Sequence, residues 1–88
     1  MNEFLKKLGI NKSATKGGGN VYTVDIENSD EYGRIYSKLD KSDLVDEIPD
    51  SSQITYETAS IQFENDDYFI TLIADFDEDI YKMTIKEL

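Results

Sequence analysis

The chain contains no cysteine, no histidine and no tryptophan, and it has a single proline. Without cysteine, neither a disulfide framework nor a thiolate metal site can form. Without histidine, the Ser-His and Cys-His nucleophile systems and the usual zinc ligand sets are excluded. We therefore expect a protein that is not an enzyme and that carries no cofactor.

Long apolar runs are also missing. No stretch approaches the ~20 apolar residues that a membrane-spanning helix needs. The two lysines near the N-terminus are not followed by an apolar run of signal-peptide length. We therefore expect no membrane association and a cytoplasmic location, which is the host cytoplasm if a phage encodes the protein.

Basic residues are scarce, because 19 acidic residues stand against 9 basic ones and the formal net charge is −10. Residues 1–19 carry four lysines and one glutamate, whereas the window between Ser42 and Tyr81 holds 12 acidic residues and no lysine or arginine. Self-repulsion of this kind works against the compact state. Two explanations stay open: the charge keeps the protein soluble, or it forms a negative surface that meets a positive partner.

The composition is that of one folded domain, because 39% of the 88 residues are hydrophobic and 11% are aromatic. Residues 1–19 are interpreted as an N-terminal helical arm followed by a glycine-rich linker, and residues 20–88 as an acidic α+β domain. In the arm, residues 2–9 predict a short helix that Gly9 closes. The three consecutive glycines within residues 11–20 indicate a flexible segment.

The middle of the chain predicts a strand and then a helix. Residues 21–27 alternate apolar and polar side chains, which is typical of a half-buried strand. Residues 28–41 predict an amphipathic helix, with Asn28 as N-cap and Glu31 completing a capping box. Residues 42–50 predict one further helical turn that ends at the proline.

The last 36 residues predict an antiparallel meander with strands at 53–58, 60–65, 68–74 and 80–86. Apolar side chains face opposite ways in the first two of these strands, and a bulge near Ala59 would reconcile them. The fold class is therefore α+β: an antiparallel sheet of about four strands, one packed amphipathic helix and a short N-terminal helix. The predicted inward-facing set is Tyr22, Val24, Ile26, Ile35, Leu39, Ile54, Phe63, Ile70, Leu72, Tyr81, Met83 and Ile85.

The densest acidic stretch is ADFDED, residues 74–79. Asp75, Asp77 and Asp79 have the spacing that opens an EF-hand loop, but Ile80 stands where the loop needs glycine and Lys86 where it needs glutamate. A weak calcium site remains an alternative. The stretch also suits a hairpin turn, although a turn does not explain why bases are missing from the whole surrounding window.

A basic protein partner accounts for both the acidic loops and the base-free window. DNA carries one negative charge per ~1.7 Å, and its binders line their channels with Lys and Arg. Carboxylates on a small rigid domain satisfy the same cationic side chains. We therefore predict a non-enzymatic inhibitor that mimics nucleic acid and binds the basic channel of a nucleic-acid-handling protein such as a nuclease, without itself binding nucleic acid. The predicted partner-binding residues are Asp43, Asp46, Glu47, Glu64, Asp66, Asp67, Asp75, Asp77, Glu78 and Asp79.

At the level of class, the chain resembles the small acidic anti-restriction and anti-CRISPR inhibitors of phages and mobile elements. The resemblance lies in size, acidity and the lack of catalytic chemistry, and no motif carries it residue by residue. Two alternatives stay open. One is an immunity protein or antitoxin that neutralises a cationic toxin, and the other is a structural or regulatory module that forms a homo-oligomer through an exposed strand edge.

Overall fold

The computed structural model describes residues 1–88 and has an α+β architecture with two helices and seven strands in one sheet. The elements are α1 (Asn2–Lys7), β1 (Thr15–Lys16), β2 (Val21–Ile26), α2 (Ser29–Lys41), β3 (Asp46–Glu47), β4 (Gln53–Ile54), β5 (Thr58–Glu64), β6 (Tyr68–Asp75) and β7 (Ile80–Glu87). The predicted class is confirmed, and the predicted number of about four strands is wrong. The two strands that the sequence did not predict, β1 and β3, have two residues each, which is too short to show a period in the sequence. The strand predicted at 53–58 is shortened to β4 at Gln53–Ile54.

All the strand pairs are antiparallel, and the sheet has the order β1-β2-β7-β6-β5-β3, with β4 also paired to β5. The strand β6 lies between β5 and β7, as its apolar sequence predicted. The helices lie over one face of the sheet, where the hydrophobic core forms. The opposite face has no helix over it. Neither helix is long and apolar enough to cross a membrane.

The short helix α1 packs on the same core as the rest of the chain. Leu5 is fully buried, and Leu8 and Ile10 are only 4% and 2% exposed. Gly9 ends the helix with a φ of +80°, the left-handed conformation that glycine adopts at this position. A six-residue helix is not stable alone in water, so these apolar contacts hold it in place.

The glycine-rich segment forms the turn of a hairpin between β1 and β2. The N–H of Gly17 donates to the carbonyl of Val21 at 2.8 Å, and Gly19 has a φ of +66°. Residues 15–16 pair with β2. The glycines therefore allow a tight turn in place of the predicted flexible segment. The strand β1 adds one strand to the edge of the sheet.

The helix α2 begins and ends where the sequence predicted. The Asn28 side chain accepts a hydrogen bond from the N–H of Glu31 at 2.9 Å, and the Glu31 carboxylate accepts one from the N–H of Glu27 at 2.9 Å. These two bonds form a capping box shifted by one residue. The buried stripe consists of Tyr32, Ile35 and Leu39.

Residues 42–50 do not form the predicted helical turn. The chain instead runs along β5, where Asp46 pairs with Glu64. It then leaves the ladder at Pro49 and Asp50, and Asp50 has a positive φ of 60°. The Ser51 hydroxyl replaces the missing backbone acceptor of Gln62, because it accepts the Gln62 N–H at 3.2 Å. The Gln62 carbonyl accepts the N–H of Ile48 at 2.9 Å and also the Ser51 hydroxyl at 3.4 Å. The edge strand is thus split into β3 and β4.

The predicted core is confirmed except at its edge. Of the inward-facing set, Tyr22 is half-buried and Ile54 is 68% exposed, and the other members are buried. Ile54 is exposed because β4 ends in a turn, in which the N–H of Thr55 donates to the carbonyl of Thr58 at 2.8 Å. This turn, and not the predicted bulge, accounts for the change of side-chain parity. The core residues that the prediction missed are Leu5, Leu8, Ile10, Tyr32, Val45, Ala59, Ile61 and Ala74.

Candidate interaction surface

Acidic and basic side chains occupy different parts of the protein surface. The structure contains one ion pair, between Lys12 Nζ and Glu31 Oε1 at 2.5 Å. The other acidic side chains have no basic partner within salt-bridge distance. The half of the sheet formed by β3, β4, β5 and β6, together with its hairpin loops, contains no lysine or arginine.

Six of the ten predicted partner-binding residues come together at one end of the sheet. This first acidic group consists of Asp43, Asp46, Glu47, Glu64, Asp66 and Asp67, and all six are exposed. The Asn65 side chain joins its two segments, because its Nδ2 donates to the carbonyl of Leu44 at 2.9 Å. Its Oδ1 accepts from the N–H groups of residues 67 and 68, each at 2.8 Å. One asparagine thus fixes the loop and ties it to the connector.

The remaining four residues form a second acidic group, which consists of Asp75, Asp77, Glu78 and Asp79 at the β6–β7 turn. Asp75 is half-buried, and its Oδ1 accepts a hydrogen bond from the N–H of Glu78 at 3.1 Å. Asp75 therefore shapes the turn, whereas the other three side chains are exposed. No group of three or more Asp and Glu side chains in the structure is arranged to hold a metal ion.

The two acidic groups lie at opposite ends of β6. This strand has eight residues, which corresponds to a separation of roughly 25 Å. The edge of the sheet between them carries two further exposed acidic residues, Asp50 and Glu57. Glu57 lies beside the second group, because its backbone carbonyl accepts a hydrogen bond from the N–H of Phe76 at 2.7 Å. These two residues lie in the base-free window of the sequence, but the prediction did not include them.

Large apolar side chains are exposed beside the second acidic group. Ile54 is 68% exposed, and Tyr56, in the β4–β5 turn, is fully exposed. Phe76 and Ile80 flank the second group in the β6–β7 turn and at the start of β7 and are also exposed. Aromatic side chains surrounded by polar ones are typical of the residues that dominate protein–protein binding. The sequence prediction included Tyr56 neither in the inward-facing set nor among the partner-binding residues.

The acidic residues influence the tyrosines near them. Burial raises the pKa of Tyr36, and the charge of Glu47 raises it further. The Tyr36 hydroxyl donates to Glu47 Oε1 at 3.4 Å. Burial also raises the pKa of Tyr68, and the charge of Glu87 adds to that effect. The Tyr36 phenol is thus engaged with Glu47, and both tyrosines lie at the border of the first acidic group.

Comparisons of this chain with protein-family models, with curated proteins and with solved structures find no match. The function of the chain is therefore inferred from its own charges and geometry.

Proposed function

We propose that the protein is a non-enzymatic inhibitor that mimics nucleic acid and occupies the basic channel of a nucleic-acid-handling protein. The observation that carries this proposal is the segregation of charge. Half of the sheet presents acidic side chains along its edge and at both ends, and no basic side chain interrupts them. A uniform negative surface on a rigid sheet is the complement of a channel lined with Lys and Arg.

The dimensions of the surface suit this partner. The two acidic groups are roughly 25 Å apart, which corresponds to about seven base pairs of DNA. Asp50 lies between them at the edge of the sheet, and Glu57 lies beside the second group. Each carboxylate accepts a bidentate hydrogen bond from an arginine that otherwise holds a phosphate. Inhibition then follows from competition, because the inhibitor and the nucleic acid need the same cations.

The exposed apolar residues add specificity to this charge complementarity. Charge alone steers association and is weakened by salt. Tyr56 and Phe76 offer aromatic area that a phosphate backbone does not have, so they favour one protein partner over other basic surfaces. We therefore expect the target to have an apolar pocket beside its basic channel.

The immunity protein or antitoxin alternative uses the same surface against a cationic toxin. Self-association through the strand edge is the weaker alternative, because the edge formed by β3 and β4 is short, interrupted at Pro49 and lined with acidic residues. Natural proteins use these three devices to prevent edge-to-edge pairing.

The proposal is tested by neutralising exposed acidic residues in matched pairs. The variants are Asp46→Asn with Asp66→Asn in the first group, and Asp77→Asn with Glu78→Gln in the second. The control pair, Asp30→Asn with Asp40→Asn, removes the same charge from α2. The wild-type protein is used to capture partners from lysate, and each recovered nucleic-acid enzyme is titrated with DNA as competitor.

The expected result is that DNA displaces the inhibitor and that both test pairs weaken binding, while the control pair does not. The salt dependence should also be less steep for the test pairs, because fewer charge contacts are broken. Equal affinity of the test pairs and the control would show that the acidic groups do not bind the partner, and the proposal would fail.

A further inference from the structure

The basic residues that the acidic half lacks are concentrated on the helical side of the molecule. A groove of about 680 Å³ lies between α1 and α2, and only one of its nine lining residues is hydrophobic. Four of the lining residues are cations: Lys7, Arg34, Lys38 and Lys41. Asp30 is the only acidic residue in the lining, so the groove has a formal charge of +3 in a protein whose net charge is −10.

The four cations reach the groove from both helices. Arg34, Lys38 and Lys41 follow the i, i+4, i+7 spacing that places side chains on one face of α2. Lys7 comes from the last turn of α1. The Lys38 ammonium donates to the carbonyl of Gly9, and this bond joins the end of α1 to α2. The two helices that line the groove are therefore linked by a hydrogen bond within the protein.

Stability accounts for this arrangement only in part. None of the four cations forms an ion pair, although acidic residues outnumber basic ones two to one. The lysines in the last turn of α2 interact favourably with the helix dipole. Arg34 lies four residues after Asp30. Its charge adds to the effect of the Lys12 hydrogen bond that lowers the pKa of Glu31. Like charges three and four residues apart on a helix destabilise it, however, and no acidic side chain pairs with Lys7 or Lys41.

We propose that the groove between α1 and α2 binds a compact oligophosphate. The groove is open to solvent, and its volume of about 680 Å³ is large enough for such a ligand. No aromatic residue lines it, so a nucleobase finds no ring to stack on. The lining therefore favours a negatively charged ligand, which the Lys and Arg side chains bind. The hydroxyls of Ser37 and Ser42 are further hydrogen-bond donors.

An acidic segment of a second copy of this chain is the competing occupant. It would carry the same sign of charge as the oligophosphate. However, at low ionic strength two copies with a net charge of −10 each repel one another at long range. The small ligand avoids this repulsion.

The experiment titrates the whole protein with sodium tripolyphosphate at low and constant ionic strength. Calorimetry gives the affinity, and backbone amide chemical shifts give the location. The test variant is Arg34→Gln with Lys41→Gln, because neither side chain makes a hydrogen bond within the protein. The control variant, Lys82→Gln with Lys86→Gln, removes the same charge from β7, and melting curves confirm that both variants fold.

We expect saturable binding of the wild type, with shifts confined to α1 and α2. The test variant should bind at least about tenfold more weakly, since each lost bond to a charged group reduces affinity by roughly that factor. The control variant should bind like the wild type. Absence of saturable binding, or equal loss in both variants, would overturn the proposal. Sedimentation that shows a dimer which the test variant abolishes would overturn it in favour of the second copy.

Discussion

Leu5→Ala should remove a large part of the free energy of unfolding, because Leu5 of α1 lies in the hydrophobic core. Leu5 has no exposed surface and lies in the same cluster as the sheet residues. A buried Leu→Ala substitution costs about 3 kcal/mol through lost transfer energy and the cavity it leaves. A chain of 88 residues is stable by on the order of 5–10 kcal/mol, so this loss should lower Tm by roughly 15 °C.

Urea unfolding monitored by circular dichroism measures this loss, and Lys6→Ala provides the matched control. Lys6 is the next residue of the same helix and is exposed, so its replacement should change stability by less than about 0.5 kcal/mol. If Leu5→Ala were as stable as Lys6→Ala, α1 would be a detached arm and its place in the core would be refuted. A change of the urea m-value would further indicate that the helix had separated from the folded state.

Three further substitutions test local features of the structure. Gly33→Ala should stabilise the protein by about 0.5–1 kcal/mol in thermal unfolding, because Gly33 is within α2 and a Cβ there meets no atom within 4 Å; a loss of stability would show that the site is crowded. Ser51→Ala should cost about 1 kcal/mol in urea unfolding, because its hydroxyl bonds both backbone groups of one residue of β5, whereas Ser52→Ala, its exposed neighbour, should be neutral. For Glu31, the hydrogen bond from Lys12 lowers the pKa of the carboxyl group. The stability that this contributes is therefore present above the unfolded pKa and is lost as pH falls through the lower folded pKa. Glu31→Gln should be less stable than the wild type near neutral pH, and this difference should shrink as pH falls through the lowered folded pKa of Glu31; a difference that does not change with pH would contradict the ion pair.

The elements predicted correctly from the sequence are those whose signals are local. The helix α2 has its cap, its capping-box glutamate and its buried stripe within 14 consecutive residues. The strand β6 is apolar on both faces and bounded by acidic turns, which predicts a central position. Both features depend on side chains that lie close in the sequence, so no knowledge of distant contacts is needed.

The errors fall where distant contacts decide the structure. Residues 42–50 have helix-capping residues, but β5 offers them a strand partner, and the side chain of Ser51 makes the split edge possible. Ile54 alternates like a core residue, yet β4 is too short and too near the sheet edge to bury it. Neither β5 as a partner nor the end of the sheet can be read from the local sequence.

The candidate surface shows the same division between local and distant information. The base-free window between Ser42 and Tyr81 becomes one continuous half of the sheet, because β3 and β4 both pair with β5, and β5 pairs with β6. The joining of the first acidic group by Asn65 was not predictable, since its partner Leu44 is 21 residues away. Exposure of Tyr56 depends on the β4–β5 turn and was missed for the same reason.

The two proposals have a common physical cause. A chain with this composition could lower its self-repulsion by placing lysines among its carboxylates. Instead, acidic side chains occupy one half of the sheet, and four cations share a groove between the helices. At physiological salt, charges more than about 8 Å apart are largely screened from one another, so each region presents its own sign to a ligand in spite of the net charge. Binding at the acidic edge and binding in the groove should therefore respond independently to substitutions in the other region, and a double-mutant cycle that combines Asp77→Asn with Arg34→Gln should be additive.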